Sequence, residues 1–177
     1  MNRAEFLAWT ERQPGRWERS AGRPVAMALE RAQHTRVKAA VWAARSRAIA
    51  RADAPCEAFA DGIAVRIDDD TDYEPDALVN CGPPVDPDAI AAPNPVVVVE
   101  VLSPSTRAID TGERLVDYFR VPSIQHFLVV HVRRREVAHH RRTVDGIATR
   151  IANIGAIRLD PPGIEVDVAE FYEAGFR

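Results

Sequence analysis

Lysine is almost missing from this chain. Of its 23 basic lysine and arginine residues, 22 are arginines and one, Lys38, is a lysine. Such a bias is typical of genome composition, so it indicates no function by itself. Its consequence is chemical, because any reaction that requires a lysine has Lys38 alone to supply it.

The sequence also lacks long apolar runs and contains only two cysteines. No apolar stretch approaches the roughly 20 residues needed to cross a bilayer, and the start of the chain lacks the apolar core of a signal peptide. Cys56 and Cys81 form no metal-binding motif. We therefore expect a cytoplasmic protein in which both cysteines are reduced thiols.

What remains is the composition of one globular domain. The chain of 177 residues is 46% hydrophobic and 28% charged, and it shows no internal repeat or linker, so we predict a single domain over residues 1–177. Charge is unevenly distributed. Residues 52–90 hold eleven acidic residues against Arg66, whereas arginines cluster at 133–135 and 141–142.

The hydrophobic pattern predicts several strands and a few helices. Helical spacing occurs at 4–12, from about 30 to 52, after Asp110 as far as Pro122, and at the C-terminus. Strands are predicted on both sides of the turn at 20–22, in "GIAVRID", "DALVNCG" and "PVVVVEVL", and in three segments between 124 and 154. One more strand is predicted within residues 156–174, before the C-terminal helix. "DDDTDYEPD" is predicted to be a polar loop. This order favours an α/β or α+β domain with a mixed central sheet.

The valine strand contains an acid that needs a partner. Val96 to Val99 lead directly into Glu100, and such a run is typical of a strand buried on both faces, where a lone carboxylate is costly. Asp76 begins the "DALVNCG" strand, and two neighbouring strands could place both carboxylates on one Mg²⁺, with the Val101 carbonyl as a third ligand. The alternative is that Asp76 caps a loop and Glu100 bonds to an arginine or to the backbone.

At these residues the sequence resembles a known family. "YEPDALVNCG…PNPVVVVEVLSPSTRAIDTGERLVDYFRVPSIQHFLVV" is similar to the core of the Uma-two family of restriction-endonuclease-like proteins, within the PD-(D/E)XK nuclease superfamily. The resemblance extends from about Trp17 to the C-terminal segment. It implies a mixed β-sheet flanked by helices, Mg²⁺ dependence with Mn²⁺ as a substitute, and hydrolysis of DNA, with Asp76 and Glu100 as the metal-binding acids.

Two other functional classes remain open beside the nuclease. One is a DNA-binding or regulatory module in which catalysis is weakened, and the other is a non-enzymatic oligomerising protein. The lysine of the superfamily should stand two residues after Glu100, where this chain has Leu102. Similar proteins carry a lysine in a "GEKL" stretch, here "GERL", so we assign that role to Arg114. The rival interpretation pairs Arg114 with Asp110 or Asp117 on the helix surface.

The first long helix offers a further set of candidates. Glu30, His34 and Lys38 are spaced four residues apart, so they share one helix face. The resemblance implies that an acid on this helix, here Glu30, joins the metal site, and it also favours a role for His34. A solvated helix face has the same pattern, and we prefer that interpretation for Glu30 and Lys38.

Partners follow from the same features. The "HHRR" segment at 139–142 could contact DNA phosphates, although a solvated hairpin is the preferred interpretation. The family resemblance and the frequency of two-fold assemblies predict a homodimer.

Overall fold

A six-stranded mixed sheet forms the centre of the fold. The structure is a computed structural model that describes residues 1–102 and 111–173. The helices are α1 (Arg3–Thr10), α2 (Ala32–Ala52), α3 (Thr111–Arg120) and a short 3₁₀ helix, Val168–Phe171. The strands are β1 (Trp17–Ser20), β2 (Arg23–Ala26), β3 (Cys56–Ala60), β4 (Val65–Arg66), β5 (Asp72–Tyr73), β6 (Ala77–Cys81), β7 (Pro95–Leu102), β8 (His126–His131), β9 (Glu136–Thr143), β10 (Gly146–Ala152), β11 (Ala156–Leu159) and β12 (Ile164–Asp167). None of the described helices has the length and apolarity to span a membrane.

The predicted α+β class is confirmed, and most predicted elements are present. The prediction of a C-terminal helix is wrong. Ile164 and Val166 are buried while their neighbours are exposed, so this segment forms the strand β12, and within the described residues it is followed by a short 3₁₀ helix. The loop prediction for "DDDTDYEPD" misses β5, whose two residues are both buried. Asp110, the predicted helix cap, lies outside the described residues.

The order of the strands places the candidate acids side by side. The large sheet has the order β10-β9-β8-β7-β6-β3, and a smaller one has the order β2-β1-β5-β4. Only β7 and β8 are parallel among the neighbours of the large sheet. In the β6–β7 pair Ala77 lies opposite Val99, so Asp76 precedes its strand at the level of Glu100.

The two faces of β7 contact different parts of the molecule. Val97, Val99 and Val101 belong to the apolar cluster that includes α2. Val98 belongs to the cluster on the side of α3. Because side chains alternate along a strand, Glu100 shares the face of Val98 and is directed towards α3.

The two cysteines correct the sequence-based expectation. Cys56 and Cys81 lie directly opposite one another in the antiparallel β3–β6 pair, and their sulfur atoms form a disulfide. The prediction of two reduced thiols is therefore wrong for this structure. The pairing of β3 with β6 brings together two cysteines that are 25 residues apart in the chain, and no local sequence pattern predicts this.

Candidate functional site

Asp76 is held at the mouth of β6 by groups from two neighbouring elements. Its Oδ2 accepts a bond of 2.6 Å from the backbone N–H of Val101, and its Oδ1 lies 2.9 Å from the Nζ of Lys38. His34 Nε2 is 3.6 Å from Asp76 Oδ2. Burial acts to raise the pKa of Asp76, but His34 and Lys38 outweigh it and the pKa falls below its usual value. The side chain is therefore an ionised carboxylate at neutral pH.

His34 links the same strand to α2. Its Nε2 lies 2.6 Å from the carbonyl oxygen of Val101, the atom that the sequence suggested as a metal ligand. Burial acts to lower the pKa of His34, whereas Asp76 and Glu30 raise it, and the net shift is upward. The imidazole of His34 thus lies between Asp76 and the Val101 carbonyl.

Lys38 is the centre of a buried charge cluster. Its Nζ lies 2.5 Å from Glu30 Oε1 and also contacts Asp61 and Asp76. Lys38 is only 7% exposed, so the prediction that it lies on a solvated face is wrong, although Glu30 itself is exposed. Burial acts to lower the pKa of Lys38, but the carboxylates raise it well above its ordinary value. The ammonium is charged and cannot serve as a general base.

The three carboxylates around Lys38 form a possible ligand set. One oxygen from each of Glu30, Asp61 and Asp76 lies within 4.8 Å of the others. Within residues 1–102 and 111–173, this is the only group of three or more possible metal-ligating side chains that lie so close together. Glu100 is not a member of it. Sequence reasoning missed Asp61, which stands in the turn after β3 and has no motif of its own.

Glu100 meets the side chains of α3. Its Oε1 accepts a bond of 2.9 Å from Arg114 Nη1 and one of 2.7 Å from the Tyr118 hydroxyl. The alternative that Glu100 bonds to an arginine therefore describes the contacts of this structure. Burial is the main reason that the pKa of Glu100 rises to about 7. The negative charge of Asp76 also contributes to this rise.

Arg114 is buried and connects Glu100 to a further acid. Its second amino group, Nη2, donates to Glu18 Oε1 in β1, and its guanidinium lies 4.3 Å from the centre of the Tyr73 ring. The rival interpretation, a surface pair with Asp117, is wrong because Arg114 is only 6% exposed. Asp110, the other proposed surface partner, is outside the described residues.

Two acidic side chains, Asp76 and Glu100, thus meet three basic side chains at the adjacent strands β6 and β7. Lys38 and His34 reach Asp76 from α2, and Arg114 reaches Glu100 from α3. Sequence reasoning missed Glu18, whose signal is faint: a single acid between Trp17 and Arg19 in a four-residue strand.

The donor set fits a hard divalent cation. Carboxylate oxygens are the ligands that Mg²⁺ prefers in proteins, and the ammonium of Lys38 already occupies a position among three of them. Glu18 Oε2 is buried and has no hydrogen-bond partner within the described part of the chain. An unsatisfied buried carboxylate oxygen is a position where a cation would be stabilised.

Comparisons with known proteins identify a matching family and a shared fold. A family model described as "Uma2: Putative restriction endonuclease" matches residues 3–168. A curated uncharacterised protein of Synechocystis sp. (strain ATCC 27184 / PCC 6803 / Kazusa), slr1290, is 29% identical over 143 residues, which is 80% of this chain and 74% of that protein. A crystal structure titled as a "putative nuclease belonging to DUF820" from Anabaena variabilis ATCC 29413 superposes with a TM-score of 0.74. The match covers 98% of both chains at 13% identity, so it shows a shared fold.

Proposed function

We propose that this chain, which belongs to the Uma2 family described as "Putative restriction endonuclease", is a Mg²⁺-dependent endonuclease. Its proposed reaction is the hydrolysis of DNA phosphodiester bonds. One observation carries the proposal. Lys38, the only lysine of the chain, lies 2.9 Å from Asp76, although Leu102 stands where a strand lysine is expected. The positive charge that the strand lacks is therefore supplied from α2.

Asp76 and Glu100 are the residues that would hold the metal, with Glu30 as a further acid on the side of Asp76. A bound Mg²⁺ would activate a water and neutralise charge on the phosphate. The support for this assignment is the interaction of the two acids across the β6–β7 pair and the raised pKa of Glu100. The buried negative charges of such a site repel one another, and a bound divalent cation would neutralise them.

The two cations have separate roles in this proposal. Lys38 stays protonated, because its pKa is raised, and stabilises negative charge that develops on the phosphate. Arg114 holds Glu100 in place and adds a second fixed positive charge, which takes the part that lysine has in similar proteins. His34 is a positioning residue, since it bonds to the Val101 carbonyl and contacts Asp76.

The remaining parts of the proposal concern assembly and substrate. A basic pocket lined by Arg141, Arg150 and Arg158 lies between β9, β10 and β11, and it is the surface we assign to DNA phosphates. We further propose a single domain over residues 1–177, a homodimer and a cytoplasmic location. Light scattering should report about twice the 19.6 kDa chain mass.

The decisive experiment is a cleavage assay with the full chain. Supercoiled, linear duplex, single-stranded and branched DNA are incubated with Mg²⁺, with Mn²⁺ or with EDTA. We expect cleavage with either metal and none with EDTA, and we expect Asp76→Asn and Glu100→Gln to abolish it. Glu74→Gln is the matched control, because Glu74 pairs with Arg16 at the surface and has no part in the proposed chemistry.

The cleavage assay, together with measurements of metal binding, DNA binding and light scattering, separates the three functional classes. Metal-dependent DNA binding without cleavage by the wild type would reject the nuclease and favour the weakened DNA-binding module. Neither metal nor DNA binding, together with a stable oligomer in light scattering, would favour the non-enzymatic protein.

A further inference from the structure

We infer that Asp61 is a positioning residue that holds the ammonium of Lys38 beside Asp76 in the proposed reaction. The inference rests on the proposed function and deepens it, because that function assigns the stabilisation of phosphate charge to Lys38. Asp61 directly follows β3, and its Oδ2 accepts bonds from Lys38 Nζ and, at 3.0 Å, from Arg16 Nη1. The oxygen that Lys38 contacts is therefore also held by Arg16.

The ammonium of Lys38 has one carboxylate for each of its three N–H bonds. It donates to Glu30 Oε1 at 2.5 Å and to Asp61, and its Nζ lies 2.9 Å from Asp76 Oδ1. An ammonium has three donors and no acceptor, so these contacts fix the direction of all three donors. A long lysine side chain loses rotational freedom in such an arrangement, and the three carboxylates offset that cost.

Asp61 is the acid of this group to which the proposed metal site gives no part. Asp76 is proposed as a metal ligand and Glu30 as a further acid beside it, so each would divide its charge between the metal and the ammonium. A lysine that acts on the phosphate needs a carboxylate without that competition. Asp61 meets this requirement, because its contacts are with Lys38 and Arg16.

The β3–β6 pair places Asp61 next to Asp76. Ala60 lies opposite Ala77 in this pair, and the two acids are the next residues beyond that rung. Like charges at opposing positions destabilise a sheet. The cation of Lys38 contacts both acids and compensates their repulsion.

A purely structural role of the ion pair would be to attach α2 to β3, and other groups already do this. The indole N–H of Trp42, one turn after Lys38, donates to the carbonyl oxygen of Ala58 in β3 at 3.0 Å. Val41 of α2 and Val79 of β6 belong to one apolar cluster. The helix is thus attached to the sheet without the ion pair, whose distinct effect is to place the ammonium.

The reactivity of Lys38 is the first test, and it needs neither metal nor catalytic activity. Lys38 is the only lysine of the chain, so a single side chain is followed. The full-length protein reacts with trinitrobenzenesulfonate in EDTA, and mass spectrometry of its peptides separates Lys38 from the N-terminal amine. The reagent needs an amine that has left its carboxylates. We therefore expect Asp61→Asn to react about 5-fold faster or more, on the scale of a hydrogen bond between charged groups.

Three variants make this result specific. Asparagine removes the charge of Asp61 but keeps its size and suits the turn before Gly62, since Asn-Gly is a favoured turn sequence. Asp61→Glu restores the charge and should recover most of the slow labelling. Glu136→Gln removes a charge from a surface pair with Arg134 and should change the labelling rate less than about 2-fold. Circular dichroism checks folding, and Asp61→Ser replaces the asparagine variant if that variant does not fold.

Single-turnover cleavage with Mg²⁺ then tests whether the placing of Lys38 matters for the reaction. We expect Asp61→Asn to lower the rate at saturating enzyme about 10-fold, because it misplaces a group that acts on the transition state. The enzyme concentration that gives half of this rate should change less than about 2-fold. In the Lys38→Met background the same substitution should have no further effect. An equal loss in both backgrounds would overturn the inference, because Asp61 would then act without Lys38.

The remaining outcomes separate this inference from the proposed function. Equal labelling of Lys38 in the wild type and Asp61→Asn, with cleavage intact, would reject the role of Asp61 alone. A loss of Mn²⁺ affinity of about 10-fold or more in calorimetry of Asp61→Asn would also overturn the inference, since Asp61 would then be a metal ligand. A wild type that cleaves no DNA would reject the proposed function and the part of Asp61 in it, even where labelling shows that Asp61 holds Lys38.

Discussion

Replacing Glu100 with glutamine should make the metal-free protein more stable while it abolishes cleavage. Glu100 is 5% exposed, and burial raises its pKa to about 7 in spite of its bonds to Arg114 and Tyr118. The folded state therefore holds a carboxylate that would be more stable in water. A glutamine keeps an oxygen that accepts both bonds and lacks the charge.

The size of the effect follows from the pKa. The ordinary pKa of 4.5 and the folded value of about 7 differ by about 2.5, which corresponds to about 3 kcal/mol of unfavourable free energy above pH 7. Arg114 loses part of its ion pair in the variant, which offsets some of this gain. We expect the free energy of unfolding to rise by about 1–3 kcal/mol at pH 8, or the melting temperature to rise by at least about 2 °C.

The pH dependence of folding stability tests independently whether Glu100 destabilises the metal-free protein. Because the folded pKa is the higher one, the folded state binds more protons between pH 4.5 and about 7, so this group makes stability fall as pH rises through that range. Below pH 4.5 the carboxyl of Glu100 is protonated in both the folded and the unfolded state, so its unfavourable contribution to stability is absent. The wild type should therefore lose stability relative to Glu100→Gln between pH 5 and pH 8.

Urea unfolding in EDTA, followed by circular dichroism at pH 5 and pH 8, measures both quantities. Glu74→Gln is the control, and it should lose less than about 1 kcal/mol, because its partner Arg16 is 43% exposed and the pair is partly screened by solvent. A variant Glu100→Gln that is less stable than the wild type at pH 8, with no change in the difference at pH 5, would refute the reasoning. It would mean that Glu100 stabilises the metal-free fold.

Four other outcomes are expected. Arg114→Ala should slow Mg²⁺-dependent cleavage about 10²-fold in single-turnover assays, while Arg114→Lys should preserve or raise the rate; equal rates for all three proteins would end the catalytic role of this arginine. Lys38→Met should also slow cleavage by about 10²-fold but tighten Mn²⁺ binding in calorimetry, because it frees three carboxylates; weaker binding would contradict the role we assign. Arg45→Met should raise the free energy of unfolding by about 1–4 kcal/mol in urea titrations. Arg45 is fully buried, lacks hydrogen-bond partners within the described residues and has a pKa lowered to about 9 by burial. A loss of stability in the variant would show that the buried guanidinium has a favourable partner. Arg141→Gln and Arg150→Gln should each weaken DNA binding and reduce the slope of log affinity against log salt by about 1; an unchanged slope would place the DNA elsewhere.

The sequence by itself determined the core of the fold and the neighbourhood of two acids. The four valines before Glu100 predicted a strand buried on both faces, and β7 is buried along nearly its whole length. Asp76 at the start of the preceding strand was expected beside it, because strands that follow one another along the chain commonly pair, and β6 pairs with β7. Arg114 and Tyr118 are four residues apart in α3, a spacing that puts both on one helix face, and the two side chains meet at 3.3 Å.

Only the tertiary structure decided which charges are buried. Lys38 has the spacing of a solvated helix face, but its side chain is buried. A local pattern describes the helix and carries no information about what packs against it. The surface above Lys38 is formed by Asp61 and Asp76, which lie 23 and 38 residues further along the chain. Glu18 is a stronger case, because it meets Arg114 across 96 residues.

The disulfide follows the same logic as these ion pairs. Cys56 and Cys81 are joined because β3 pairs with β6 in one particular register, and a shift of one residue would place the two sulfur atoms on opposite faces. Local periodicity determines what each segment becomes. The long-range packing of those segments decides which side chains share a site, since burial and charge pairing depend on neighbours that are distant in the chain.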